Sequence, residues 1–233
     1  MSFEEEYFEK AKADLSKLIP YGFEKESTGY FYSKDFHHGE FQARIHIRED
    51  GYVYGQVIEK AFEEEYTTFR AKDAQGEFVN EVREEYEAIL KDIKDNCFSK
   101  QTYVSLQANR INQYIHETFH HEPIFKWDKE PYKDSASVFE DEVNHKWYAI
   151  VMRVSRKKLD NIHDVMIEVM NVKLDPALIQ DLLKTGKYYP AYHMNKKSWI
   201  SIPLDNTIPD EEIIHYLTMS RDGIKDNKKK KQL

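Results

Sequence analysis

A chain of 233 residues is long enough to bury one or two cores, and its sixteen tyrosines and thirteen phenylalanines supply apolar faces that a 40 % hydrophobic composition would otherwise lack. Disorder is thereby excluded, and a lone cysteine, Cys97, excludes an internal disulfide framework and points to a reducing cytoplasm. The net charge of −8 is unevenly spread: residues 1–118 hold 15 Lys+Arg against 24 Asp+Glu, whereas residues 119–233 hold 19 against 18, so neither half is a strongly basic body.

The chain opens acidic, "MSFEEEYFEK", where a signal peptide is basic and then apolar, and its longest clean apolar run, Tyr148 to Met152, is too short for a bilayer. No membrane contact and a cytosolic location are expected. Ser2 with Glu5 forms a capping box, and Phe8, Ala11, Leu15 and Leu18 continue at helical spacing to Pro20 and Gly22. From Gly29 the period is two. Phe41, Ala43, Ile45 and Ile47 alternate with Gln42, Arg44 and His46, Asp50-Gly51 makes a tight turn, and "YVYGQVI" returns as the next strand. "EYTTFRA" reads as a further strand, and a helix from Glu77 carries Phe78, Val82, Tyr86, Ile89 and Ile93 on one face.

The plan then repeats. "YVSLQANRINQYIHETFH" is helical and stops at Pro123; "SVFEDE", "KWYAIVMRVS" and "MIEVMNVKL" are successive strands, with turns at Val143–His145 and around Asp160-Asn161. Asp175 caps a helix that starts at Pro176, turns Leu178, Leu182 and Leu183 inward and ends at Gly186. Residues 198–204 alternate as a half-buried strand, and a last helix begins near Pro209 with Asp210, Glu211 and Glu212 at its positive end. The fold class is therefore α+β, two units that are each an antiparallel sheet backed by helices. The expected divisions are residues 1–98, residues 99–224 and a disordered basic tail at 225–233, "KDNKKKKQL".

"HETFH" at 116–120 fits the H-E-x-x-H zinc spacing, but Pro123 cuts the helix and no third ligand is marked downstream, so it reads as polar residues on a linking helix. The pairs His37-His38 and His120-His121 read as surface loops, because adjacent histidines point apart. The runs Glu4–Glu6 and Glu63–Glu65 read as solvated faces, and Cys97 as a small buried hydrophobe. No glycine-rich phosphate loop and no nucleophile elbow occur, so neither an enzyme nor a cofactor is expected. One stretch concentrates polar donors. His193, Asn195, Lys196, Lys197 and Trp199 lead into a strand, while Arg153, Arg156, Lys157 and Lys158 end another. If those strand ends lie together, they form a basic edge beside an aromatic plane, suited to phosphate contact and base stacking.

The segments "KWYAIV", "VKLDPALIQDLL", "YPAYHMNKKSWISIPLD" and "IPDEEIIHYLTMSRDGI" resemble the MmcQ/YjbR family over roughly residues 100–224, "PAYHMNKKSWI" most specifically. The N-terminal unit looks like the extension found in a subset of these mostly bacterial proteins. The resemblance implies a frataxin-like, double-wing fold and a DNA-binding module. The expected function is non-enzymatic DNA binding, weak and salt-dependent, because residues 119–224 carry 14 cations against 17 anions. The alternative is a protein-interaction or small-ligand module, the acidic N-terminal unit meeting a basic partner.

Overall fold

The computed structural model of the chain describes residues 2–71, 73–127 and 135–226 and divides it into two units, one up to Thr102 and one from Tyr103 on. The first unit opens as its capping box dictates: Glu5 N–H donates to Ser2 Oγ and Ser2 N–H to the Glu5 carboxylate, starting α1 (Phe3–Tyr7). The helical stripe does not run on to Leu18. Lys10 turns left-handed (φ 56°), β1 (Ala11–Ala13) pairs with Phe98–Lys100, and Asp14 caps a new helix, α2 (Leu15–Tyr21), ended by Gly22. Strand pairing and a second cap outweigh the weak helical preference of a short stripe.

Next comes an antiparallel sheet in sequential order: β2 (Glu24–Glu26), β3 (Gly29–Phe36), β4 (Phe41–Arg48), β5 (Val53–Glu59) and β6 (Glu64–Glu65). Phe41, Ala43, Ile45 and Ile47 line its inner face, packed on Val82, Tyr86, Leu90 and Ile93 of α3 (Glu77–Cys97), which leads into β7 (Phe98–Lys100). The strand expected over "EYTTFRA" shrinks to Glu64–Glu65, and Thr68–Arg70 is a 3-10 turn. Arg83 explains the change. Its guanidinium takes the carbonyls of Phe69, Ala71 and Ala74, which a sheet would otherwise occupy.

The acidic run at Glu4–Glu6 is not simply a solvated face. Glu4 is 1 % exposed, accepts two hydrogen bonds from Arg70 Nη1 at 2.8 Å and one from Tyr86 Oη at 2.7 Å, while Arg70 Nη2 reaches the Gly55 carbonyl at 2.7 Å. Gly55 makes room for this group, since a Cβ there would stand 2.1 Å from Tyr86 Oη.

The second unit contains α4 (Leu106–Phe119), β8 (Ala136–Glu140), β9 (Trp147–Ser155), the single turn α5 (Lys157–Asp160), β10 (Met166–Lys173), α6 (Pro176–Lys184), β11 (Tyr189–Pro190), β12 (Trp199–Pro203) and α7 (Asp210–Asp226). Its antiparallel sheet runs β11-β12-β10-β9-β8. Asp175 caps α6, with Pro176 first and Gly186 left-handed after its end, as the sequence dictates. One face of the sheet packs on α4, α6 and α7 through Val151, Met170, Val172, Ile200, Ile202, Ile115, Ile179, Ile213 and Leu217. All five residues of β12 are buried, not every second one, because it lies between two strands and is covered on both faces. The first unit extends past residue 98 because β7 pairs with β1. Ile224 is buried and α7 continues through Lys225, so that lysine belongs to the helix; the expected tail beyond Asp226 lies outside the described residues.

Candidate nucleic-acid interface

The approach to β12 is held by a closed ring of hydrogen bonds. Tyr192 N–H donates to Ser201 Oγ (3.0 Å), Ser201 Oγ–H to Asn171 Oδ1, and Asn171 Nδ2 to the Tyr192 carbonyl (2.9 Å). Asn171 and Ser201 are fully buried opposite each other on β10 and β12, so this ring fixes where the 192–198 loop leaves the sheet. Asn195 closes the loop. Its side chain accepts from Lys197 N–H (2.9 Å) and its carbonyl from Trp199 N–H (2.9 Å). Asn195 is thus a turn-former. His193 takes a left-handed backbone (φ 57°), with its ring 4.0 Å from that of Tyr192.

Trp199 is 8 % exposed and packs with Val138, Ile150 and Ala191 in a second apolar cluster on the sheet face away from α4, α6 and α7; Trp127, Trp147, Met152 and Met194 pack against it. Its ring is part of the core and does not lie open for a base. That expectation is corrected: a large aromatic on a covered sheet face fills space.

The two strand ends do not coincide either. Ser155, which ends β9, pairs with Met166, and Trp199, which begins β12, pairs with Lys173; Met166 and Lys173 are opposite ends of β10. Arg153 lies across from Glu168 and shares its face with Val151, away from Trp199. Arg156 is committed to Asp160 (3.1 Å), Asp205 (3.0 Å) and the Tyr189 hydroxyl (3.2 Å). Burial opposes ionisation of Asp160, but His163, the N–H groups of Ile162 and His163, and Arg156 together hold its carboxyl well below the usual range. This corner is a charged latch that shapes the turn after β9.

What the fold does bring together is α5 and the 192–198 loop. Lys158 Nζ stands 5.8 Å from the centre of the Tyr192 ring, a contact the sequence reading missed. An aromatic immediately before "HMNKK" is the signal that marks it. Lys157, Lys158, His193, Lys196 and Lys197 are all exposed, and among the described residues Lys158, Lys196 and Lys197 have no carboxylate partner, while Lys157 has Asp164 at 3.8 Å.

The histidine motifs go elsewhere. His116 pairs with Glu122, and His120 leaves the helix in a left-handed conformation (φ 58°). Among the described residues no cluster of three His, Cys, Asp or Glu is placed to hold a metal. One member of each histidine pair is buried, not on a surface loop: His37 donates to Glu85 (2.9 Å), and His121 shares a hydrogen bond with the Tyr148 hydroxyl (2.9 Å). No helix among the described residues is long and apolar enough to cross a membrane.

The YjbR family model matches residues 117–222. The chain is 35 % identical over 116 residues to the uncharacterized protein YyaQ of Bacillus subtilis (strain 168), covering 49 % of this chain and 95 % of that protein. A crystal structure of a Pseudomonas syringae protein is similar at 31 % identity and a TM-score of 0.45, covering 48 % of this chain and 94 % of the other. A solution structure from the same organism gives 31 % and 0.44, with 48 % and 88 % covered.

Proposed function

The chain belongs to the YjbR family, and on that premise we propose that it is a non-enzymatic binding protein whose C-terminal unit contacts the phosphate backbone of DNA through the ledge formed by Lys157, Lys158, His193, Lys196 and Lys197. The observation that carries the reading is the seat of Lys158 over Tyr192, which joins two basic segments that the strand order alone would separate. Exposed ammonium groups such as those of Lys158, Lys196 and Lys197, which have no carboxylate partner among the described residues, release the counterions of the phosphates they meet, which is the source of sequence-independent affinity. Arg156, Asn195 and Trp199 serve this reading only by holding the ledge in shape, and Arg153, on the other face of the sheet, has no part in it. Affinity is weak, since anions outnumber cations over residues 119–224. The reading includes a cytoplasmic location, supported by the single buried thiol, and the bacterial, double-wing character that the family resemblance implies. Binding of a labelled DNA duplex by the full chain, followed as salt is raised, tests it.

A further inference from the structure

Two turns of the second unit are built alike. Between β8 and β9, Asp141 Oδ1 accepts from the N–H groups of Val143 (3.2 Å) and Asn144 (3.1 Å). Between α5 and β10, Asp160 Oδ1 accepts from those of Ile162 (2.8 Å) and His163 (3.1 Å). Each turn holds one branched apolar side chain out in solvent, Val143 at 74 % exposure and Ile162 at 73 %. Single exposed apolar residues are ordinary on a protein surface, so their surroundings decide what they can do.

Those surroundings differ. Val143 stands among Glu140, Asp141 and Glu142. Ile162 instead follows Lys157 and Lys158, and the Lys158 ammonium over Tyr192 makes this turn part of the ledge. Val165 and Met166, just beyond, are also more than half exposed, so the tip is apolar over several residues. It is held rigid as well. His163 Nδ1 meets Asp160 Oδ2 at 2.7 Å, Arg156 Nε donates to the same carboxylate at 3.1 Å, and Arg156 N–H closes the loop on the Val165 carbonyl at 2.8 Å. The carboxylates of the turn are engaged: Asp160 by these bonds, and Asp164 by Lys157 at 3.8 Å and Ser155 Oγ at 3.4 Å. A rigid apolar tip with ammonium groups at its base is suited to enter a base step of a duplex whose phosphates those groups hold, unstacking the step and kinking the DNA.

We propose that Ile162 is such a wedge, inserted at a deformable base step when the ledge holds duplex DNA. The inference rests on the DNA reading of the ledge. The test is energy transfer between dyes at the two ends of a duplex with a central TA step, read beside anisotropy, with the full chain. The wild-type protein binds and bends this duplex, and binds one with an A-tract in place of the step about threefold more weakly. Ile162→Ser abolishes the bend and weakens binding about fivefold. It leaves the salt slope unchanged, because an apolar contact releases no counterion. Val143→Ser, the same change on the matching acidic turn, alters neither bend nor affinity. Binding without a bend, or a bend that Ile162→Ser keeps or that Val143→Ser removes equally, overturns the wedge and leaves the ledge standing. Absence of binding at low salt overturns both.

Discussion

Glu4 and Arg70 form a bidentate ion pair at 2.8 Å, with the Glu4 side chain 2 % exposed, and it ties the first helix of the chain to the turn before α3. A carboxylate buried this deeply persists because both of its oxygens are hydrogen-bonded: Arg70 Nη1 reaches both, and Tyr86 donates its hydroxyl to one. Glu4→Ala leaves Arg70 only the more distant Glu65, at 3.9 Å, as counter-charge and is expected to cost about 3 kcal/mol. Urea denaturation of the variant checks this, and a loss under about 1 kcal/mol would show the pair to be incidental.

Trp199 and the lysines before it are expected to separate cleanly. Trp199→Ala opens a cavity in the second apolar cluster and costs about 3–5 kcal/mol of stability. Replacing Lys196 and Lys197 by Ala changes stability by no more than about 0.5 kcal/mol, because among the described residues neither side chain holds a partner and the Lys197 N–H bond to Asn195 is kept. Thermal unfolding of both variants decides it; a stable Trp199→Ala protein would return the ring to the surface.

Much of this fold was legible because its signals are local. The capping box at Ser2, Asp175-Pro176, the Asp50-Gly51 turn and the long stripe of α3 each act within a turn or two of chain. The failures are long-range. Nothing near Lys12 announces that it pairs with Ser99, 87 residues away, and Glu4 reads as one of three solvated acids until Arg70 and Tyr86 arrive from distant elements. Gly55, inside an otherwise regular strand, was the one local sign of that close approach. The site failed in the same way: both basic segments were visible, but the register of β10 puts them at opposite ends of the sheet, and α5 with Tyr192 rejoins them.

Stability is expected to fall on mild acidification. Burial first, and then Arg221, hold His121 below its ordinary value, against the opposing pull of Glu142 and Asp141; burial also lowers His46 despite the nearby Glu26. The unfolded chain therefore takes up protons that the native protein resists. The stability is fully present above the unfolded value of about 6.5 and is lost as pH falls through the depressed folded values. Denaturation midpoints measured from about pH 7 down to about pH 5.5 should drop, and less steeply in His121→Gln. A flat or rising midpoint over that window contradicts the assignment.

Cys97 is expected to be unreactive until the fold opens. It is fully buried at the end of α3, and burial pushes its thiol up to about 11. A disulfide reagent near neutral pH should label it slowly in the native protein and at once in denaturant. Rapid native labelling would place the thiol at the surface.

The central claim is that the ledge around Tyr192 meets DNA phosphates, and a salt titration of duplex binding by fluorescence anisotropy tests it most directly. The expected result is weak affinity that falls steeply as salt rises, with Lys196→Ala/Lys197→Ala and Lys157→Ala/Lys158→Ala each lowering the logarithmic salt slope by about one to two and leaving thermal stability unchanged. Absence of binding by the wild-type chain even at low salt, or a slope that both double variants leave untouched, would contradict it.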